Sequence, residues 1–99
     1  MFVTKLNAAG SALLFSTYLG GSGGEEAYGI KFDASDQIFI TGETTSADFP
    51  ATAGAFDITY GGGGNDAFVA NLSAGATGLI YATYLGGSNY DYARDIAIN

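Results

Sequence analysis

The 99-residue chain contains no cysteine, no histidine and no tryptophan, and its only proline is Pro50. Without cysteine the chain forms no disulfide bond and has no thiolate ligand for a metal ion. Without histidine it lacks the commonest general base and metal ligand of proteins. Any chemistry of this chain would therefore depend on carboxylates, hydroxyl groups and backbone atoms.

Positive charge is also scarce. Lys5, Lys31 and Arg94 are outnumbered by ten Asp and Glu residues, which gives a net charge of −7 and an isoelectric point near 4.1. Such a surface repels phosphate backbones, so nucleic acid is not an expected partner. The chain does not have the composition of a disordered tail, because 47% of its residues are hydrophobic and its charges are scattered.

Long hydrophobic runs are missing as well. No apolar run approaches the roughly 20 residues of a membrane-spanning helix. The segment LNAAGSALLF after Lys5 loosely imitates a secretion signal, but a similar segment, LSAGATGLIY, lies in the middle of the chain, where no signal peptide belongs. We therefore interpret both segments as a turn followed by a strand and expect no signal peptide.

An internal repeat is the most prominent positive feature. The string TYLGGS occurs at Thr17–Ser22 and again at Thr83–Ser88, which is an offset of 66 positions. At this offset residues 2–33 align without a gap to residues 68–99, and 13 of the 32 positions are identical. Such a repeat predicts that one structural unit is built twice and that each copy packs on the next.

The residue pattern within each copy is that of short β-strands. Sixteen glycines among many Thr, Tyr, Phe and Ile residues predict strands joined by glycine turns. Both faces of the run 79–85 are largely apolar, so we expect this strand to be covered on both sides. No segment has sustained helical periodicity. The sequence predicts an all-β fold of β-propeller blades, with a β-sandwich as the less favoured alternative.

Five motifs strengthen this prediction because they resemble a known family. They are STYLGGSG, YGIKFDAS, IFITGETTSADFP, TAGAF and DAFVANL. Together they resemble the SBBP repeats, a bacterial β-propeller family found mainly in large exported or surface-exposed proteins. The resemblance implies a propeller fold and a secreted or cell-surface location in a bacterium, and it implies no reaction mechanism.

The resemblance also implies four-stranded antiparallel blades, about one and a half of them in this chain. Residues 1–26 would form a partial blade, residues 27–85 a full blade, and residues 86–99 the start of the next. By analogy with related propellers, 27–33 would be the innermost strand and 79–85 the outermost. TYLGGS then marks the corner at which the chain leaves an outer strand.

One and a half blades cannot close a ring, because propellers have roughly 4 to 8 blades and closure removes the open sheet edges. Two interpretations stay open. The chain is a piece of a longer propeller, which we favour, or several copies complete one another. In both cases the open blade edges predict self-association.

Four carboxylates near the repeated corner are candidates for a metal site. They are Glu25 and Glu26 in the first copy and Asp91 and Asp95 in the second. Acidic groups repeated on one propeller face could bind Ca²⁺, which takes oxygen ligands. The alternative, favoured because the calcium-loop spacing Asp-x-Asp-x-Asp is missing, is that these groups are only solvated. No other cofactor is expected.

The longest connection, residues 44–66, supplies two candidate ligand-binding residues, Asp48 and Tyr60. Connections of this length are usually functional or held in place by packing. The favoured interpretation is a clamp that covers a blade and is anchored by Phe49 and Phe56. The alternative is the rim of a ligand site.

Tyr90 and Tyr92 are the other candidates, because Gly24 and Glu26 stand at the corresponding positions of the first copy. Aromatic faces beside carboxylates suit sugar binding. The overall prediction is a non-enzymatic β-propeller module that serves as a structural or protein-interaction scaffold. The alternative is a carbohydrate-binding module assisted by Ca²⁺, so the expected partners are protein or glycan.

Overall fold

The computed structural model describes residues 1–98, which form six β-strands. These are β1 (Phe2–Leu6), β2 (Leu13–Tyr18), β3 (Glu25–Phe32), β4 (Ile38–Thr44), β5 (Asp66–Leu72) and β6 (Leu79–Leu85). Within residues 1–98 the only helical element is a 3₁₀ turn at Ala74–Ala76, and no helix there is long and apolar enough to cross a membrane. The predicted all-β class is confirmed.

The strands form two antiparallel sheets. β1 and β2 pair as a hairpin, and the other four strands form one sheet in the order β3-β4-β5-β6. A four-stranded sheet in sequence order is the arrangement predicted for a full blade, and the hairpin supplies the partial one. The predicted blade boundary at residue 27 falls inside β3, because Glu25 already pairs with Thr44 of β4.

The hydrophobic core lies between the two sheets. One face of the four-stranded sheet is buried, and its large apolar side chains are Ile38, Ile40, Phe68 and Tyr84. Val3 and Leu19 cover this face from the hairpin side. Phe49, from the connection after β4, completes the cover, since its ring centroid lies 4.7 Å from that of Phe68. Phe49 is thus an anchor, as predicted.

The same connection protects the free edge of β6. Thr52 N donates a hydrogen bond to Ala82 O at 2.9 Å, and Tyr84 N donates to Asp57 O at 2.9 Å. An edge strand with unpaired backbone groups would offer a template for pairing with other chains. The favoured interpretation of this connection as a clamp therefore describes what it does in the structure.

Phe56 does not act as the second anchor. Its side chain is 85% exposed, although it lies between the two residues that pair with β6. The segment is held through backbone hydrogen bonds and the Thr52 hydroxyl, so it does not need the phenyl ring. The prediction for Phe56 was wrong in this chain.

Residues 86–98 form no strand, although they were predicted to start a further blade. Ala93 N donates to Gly42 O at 3.4 Å, at the level of the bulge of β3 between Ala27 and Gly29, so this segment lies against β3 and β4. A strand needs a neighbour for its backbone groups, and the described residues offer no second strand for this blade. The further blade stays a prediction, and Asn99 lies outside the described residues.

Candidate functional site

The first TYLGGS corner is joined to the connection after β4 by a set of hydrogen bonds. Ser22 donates to Asp48 Oδ1 from its backbone N at 2.8 Å and from its hydroxyl at 3.0 Å, and Gly23 N donates to Ser46 Oγ at 2.9 Å. The two donors of Ser22 favour the ionised carboxylate and hold the pKa of Asp48 below its ordinary value of 3.8. In this chain Asp48 is therefore part of a structural joint.

Glu25 lies in the same joint. Its Oε2 accepts hydrogen bonds from Thr44 Oγ1 at 2.8 Å and from the Ser46 hydroxyl. Its Oε1 accepts from Gly21 N at 3.3 Å and lies 4.0 Å from the amino group of Met1. Both oxygens of Glu25 are thus occupied by groups of the chain itself.

Asp91 occupies the equivalent place at the second corner. Its Oδ2 accepts from Gly87 N at 2.8 Å, just as Glu25 accepts from Gly21 N, and both pairs are related by the repeat. Each corner is followed by an acid whose carboxylate turns back onto the backbone of the corner. This shared contact is a structural reason for the recurrence of TYLGGS in the sequence.

The first glycine of each corner leaves room for that carboxylate. A Cβ at Gly86 would lie 2.8 Å from Asp91 Oδ2, and a Cβ at Gly20 would collide with the carboxylate of Glu25. Gly20 also has φ +149°, a backbone conformation that favours glycine.

A separate, open groove of about 340 Å³ lies beside the start of β3. Its polar walls include Glu26, Glu43, Asn65 and Tyr90. Glu26 and Glu43 face each other because they are register partners in β3 and β4. Asn65 Nδ2 donates to Glu43 Oε1 at 2.6 Å and so fixes one wall. The groove is acidic and rimmed by an aromatic ring.

Three tyrosines cluster at this groove. The rings of Tyr90 and Tyr92 meet edge to face with centroids 6.2 Å apart, and those of Tyr28 and Tyr92 with centroids 6.5 Å apart. Each of the three side chains is about half exposed. Arg94 places its Cζ 5.0 Å from the centroid of the Tyr92 ring, a cation–π contact. The cluster is thus partly ordered and still accessible to a ligand.

Tyr28 is tied to the acidic wall. Its hydroxyl donates to Glu26 Oε2 at 2.7 Å. This hydrogen bond, followed by burial and by the charges of Glu26 and Glu43, raises the pKa of Tyr28 to about 12. Tyr28 therefore remains a protonated donor over the ordinary pH range.

Of the predicted residues, Glu25, Glu26 and Tyr90 line the groove, and Tyr92 packs on Tyr90 beside it. The other predicted residues do not line it. Tyr60 packs on Tyr84 with ring centroids 6.0 Å apart and donates its hydroxyl to the backbone oxygen of Gly64. Tyr60 therefore supports the fold in this chain.

The four carboxylates predicted for calcium do not come together. Glu25 and Glu26 are neighbours in a strand, so their side chains point to opposite faces of the sheet. Asp95 is exposed, and its Oδ1 accepts from Ile96 N at 2.8 Å. In the part of the chain that the structure describes, no group of three or more acidic side chains is arranged to hold a metal ion.

Three residues were not predicted from the sequence: Glu43 and Asn65, which line the groove, and Tyr28, which is bonded to Glu26 beside it. A signal for Glu43 was available, because hairpin pairing around the turn at 33–37 places it opposite the start of β3. The bulge between Ala27 and Gly29 shifts the register by one residue and decides that Glu26 is its partner. No pattern in the sequence identified that bulge.

The comparison with known families agrees with this architecture. The family model for the SBBP β-propeller repeat matches residues 14–50. The matched segment includes most of β2, the first corner, β3 and β4, and it ends just after Phe49. The predicted resemblance is confirmed for this segment. A search of curated proteins finds no match.

Proposed function

We propose that this chain, whose residues 14–50 match an SBBP β-propeller repeat, is a non-enzymatic structural module that associates with further β-sheets through its uncovered face. The lack of histidine and cysteine supports a role without catalysis. The proposed setting is a secreted or surface-exposed bacterial protein, and it is supported only by the resemblance to the family.

One observation is the main support for this proposal. Phe2 and Phe68 are equivalent in the repeat, yet Phe2 is 70% exposed and Phe68 is 0% exposed. Tyr18 and Tyr84 are equivalent too, with exposures of 91% and 0%. Phe2 pairs with Tyr18 and Phe68 with Tyr84 in the same register, so both pairs stand on the same face of their sheets.

The cover of the second pair indicates what the first pair lacks. Phe49 and the hairpin side of the core bury Phe68 and Tyr84, whereas no described residue covers Phe2 and Tyr18 in the same way. Leu6 belongs to the same open face and is also exposed. The hydrogen-bonded pair Thr4 and Ser16 lies between Leu6 and the two aromatic rings. Exposed apolar side chains grouped on one face in this way are available for an interaction.

Light scattering coupled to size exclusion tests this function. We expect the wild-type chain to associate in a concentration-dependent way, and we expect the double variant Phe2→Ser with Tyr18→Ser to be monomeric. Phe56→Ser is the matched control, because it removes a similarly exposed aromatic ring from a different surface. A wild-type chain that stays monomeric at all concentrations contradicts the proposal, and so does a control that abolishes association equally well.

The tyrosine cluster supports a second candidate function, binding of a carbohydrate at the groove. Tyr90 and Tyr92 offer half-exposed rings, and Glu26 and Glu43 offer acceptors for sugar hydroxyls. A glycan array followed by calorimetry tests this function, with and without EDTA. We expect Tyr90→Ala to abolish sugar binding and Tyr18→Ala, on the other surface, to retain it. No binding across the array would contradict this candidate.

A further inference from the structure

Asp66, the first residue of β5, is a carboxylate that the fold leaves incompletely bonded. Its side chain is fully buried, and its Oδ2 accepts a hydrogen bond from Gly61 N at 2.5 Å. No donor among the described residues reaches its Oδ1, which is also buried. A buried carboxylate oxygen without a donor or cation is costly, so proteins rarely leave one unpaired.

A second carboxylate borders the same space. The position that a Cβ would take at Gly86 lies 3.2 Å from Asp66 Oδ1 and 2.8 Å from Asp91 Oδ2. The two oxygens therefore face the same small volume beside a glycine that has no side chain to fill it. Asp66 and Asp91 each accept one backbone N–H bond, from Gly61 N and from Gly87 N.

The first copy of the repeat shows how the equivalent carboxylate is bonded. Glu25, the counterpart of Asp91, has the amino group of Met1 at 4.0 Å and the hydroxyl of Thr44 at 2.8 Å. Among residues 1–98 this is the one ion pair within 4.0 Å, so neither Asp66 nor Asp91 has a lysine or arginine partner. The second corner thus brings two carboxyl groups together at Gly86, and no Lys or Arg of the described residues lies within 4.0 Å of either.

We propose that Asp66 and Asp91 bind a divalent cation that prefers oxygen ligands, represented by Ca²⁺. The two carboxylates supply oxygen ligands from the start of β5 and from the segment after β6, both beside Gly86.

The site shares only Asp91 with the carboxylates selected from the sequence. It is independent of the proposed structural function, because it lies at the second corner and not on the open face of the hairpin. Its cation would cross-link the start of β5 to the chain that leaves β6.

Terbium luminescence tests the site with a probe that replaces Ca²⁺. The chain has seven tyrosines and no tryptophan, so Tb³⁺ emission excited at the tyrosine band reports an ion bound near them. We expect saturable emission that Ca²⁺ displaces, and we expect Asp66→Asn and Asp91→Asn each to weaken Tb³⁺ binding at least about tenfold. Asp36→Asn is the matched control, because it removes the same charge from an exposed turn whose positive φ suits asparagine.

Thermal unfolding provides the second readout. Saturating Ca²⁺ should raise the Tm of the wild-type chain by about 5 °C or more, EDTA should reverse the rise, and Asp91→Asn should abolish it even if Asp66→Asn fails to fold. Undiminished Tb³⁺ binding by Asp66→Asn and Asp91→Asn would overturn the proposal and place the ion elsewhere. A Tm that is insensitive to Ca²⁺, together with a more stable Asp66→Asn variant, would overturn it in favour of a proton shared by the two carboxyls.

Discussion

The tyrosine before the Leu-Gly-Gly of each corner lies in opposite surroundings in the two copies. Tyr84 is buried, its hydroxyl donates to Ser46 O at 2.7 Å, and burial raises the pKa of its hydroxyl. Tyr18 is almost completely exposed. Tyr18 and Tyr84 share their position in the repeat and their register. A comparison of the two therefore shows the effect of the surroundings while the residue type stays the same.

Removal of the two hydroxyl groups should therefore have unequal effects. We expect Tyr84→Phe to lower the free energy of unfolding by about 1–2 kcal/mol, because buried Ser46 O would keep only the longer hydrogen bond from Phe49 N at 3.4 Å. Tyr18→Phe should change it by less than about 0.5 kcal/mol. Urea denaturation followed by circular dichroism measures both, and equal effects would contradict the assignment of Tyr84 as a bonded core residue.

Asp48 gives the joint at the first corner a dependence on pH. Its pKa in the folded chain is lowered from 3.8, mainly by the backbone N–H and then by the hydroxyl of Ser22. The folded state therefore binds fewer protons at this group than the unfolded state. Its stabilisation is present above pH 3.8 and is lost as the pH falls through the lowered value.

We expect the difference in Tm between the wild type and Asp48→Asn to be greatest near neutral pH and to disappear once the pH has fallen below the lowered pKa of Asp48. Thermal scans between these limits measure it. Ser22→Ala should reduce the same difference, because it removes one of the two donors. Curves for the wild type and Asp48→Asn that stay parallel over the whole range would show that Asp48 does not contribute in this way.

Single residues also show what the sequence could and could not predict about the site. Tyr90 and Tyr92 were selected as a pair because they break the repeat, which is visible in the letters alone, and the structure places their rings edge to face. Their role in binding stays a prediction. Glu43 and Asp66 were missed because each lies in a strand that reads as ordinary sheet. The partner of Glu43 depends on the bulge in β3, and the surroundings of Asp66 depend on loop residues distant in the sequence, Gly61 and Asp91.

The two TYLGGS corners differ as elements even though their letters agree. The first corner packs against the connection after β4, so a Cβ at Gly21 would lie 2.6 Å from Ser46 Cβ and would also meet Asp48. The equivalent Gly87 has nothing within 4 Å of its Cβ position. The local sequence therefore sets the shape of the corner, and the neighbouring connection decides how tightly it is held.

The same substitution at both corners tests this difference. We expect Gly21→Ala to lower the free energy of unfolding by about 1–3 kcal/mol through crowding against Ser46. Gly87→Ala should have an effect within about 0.5 kcal/mol. Chemical denaturation of both variants measures the difference, and a Gly87→Ala variant as unstable as Gly21→Ala would mean that the corner itself, and not its packing, determines the cost.

Elements were predicted well wherever the reason for them is local. Apolar residues and glycine turns located the strands. The expectation that β6 is covered on both sides was wrong, because Ala82 and Tyr84 are buried while Ile80, Tyr81 and Leu85 stay 37–45% exposed. Elements whose state depends on a distant partner were predicted less well. Phe56 was assigned to an anchor that backbone pairing made unnecessary, and 86–98 lacks the neighbour that a strand would need.

At the scale of the whole molecule, the two sheets have unequal support. The four-stranded sheet has two central strands, β4 and β5, each paired on both sides. The hairpin of β1 and β2 is paired only within itself, and a two-stranded hairpin is marginal in water without further packing. Val3 and Leu19 are its buried contributions to the shared core, while its opposite face is open.

This inequality leads to an expectation for native-state hydrogen exchange. Amides of β4 and β5 should exchange only through global unfolding, and those of β1 and β2 through a partial opening of lower free energy. If the open face is covered by association, as we propose, protection of the hairpin should rise with protein concentration while that of β4 and β5 changes little. Exchange measured by NMR or mass spectrometry at two concentrations distinguishes these cases. Uniform protection of all six strands at the lower concentration would show that the hairpin and the four-stranded sheet unfold as one cooperative unit. Association through Phe2 and Tyr18 would then not be needed to complete the fold.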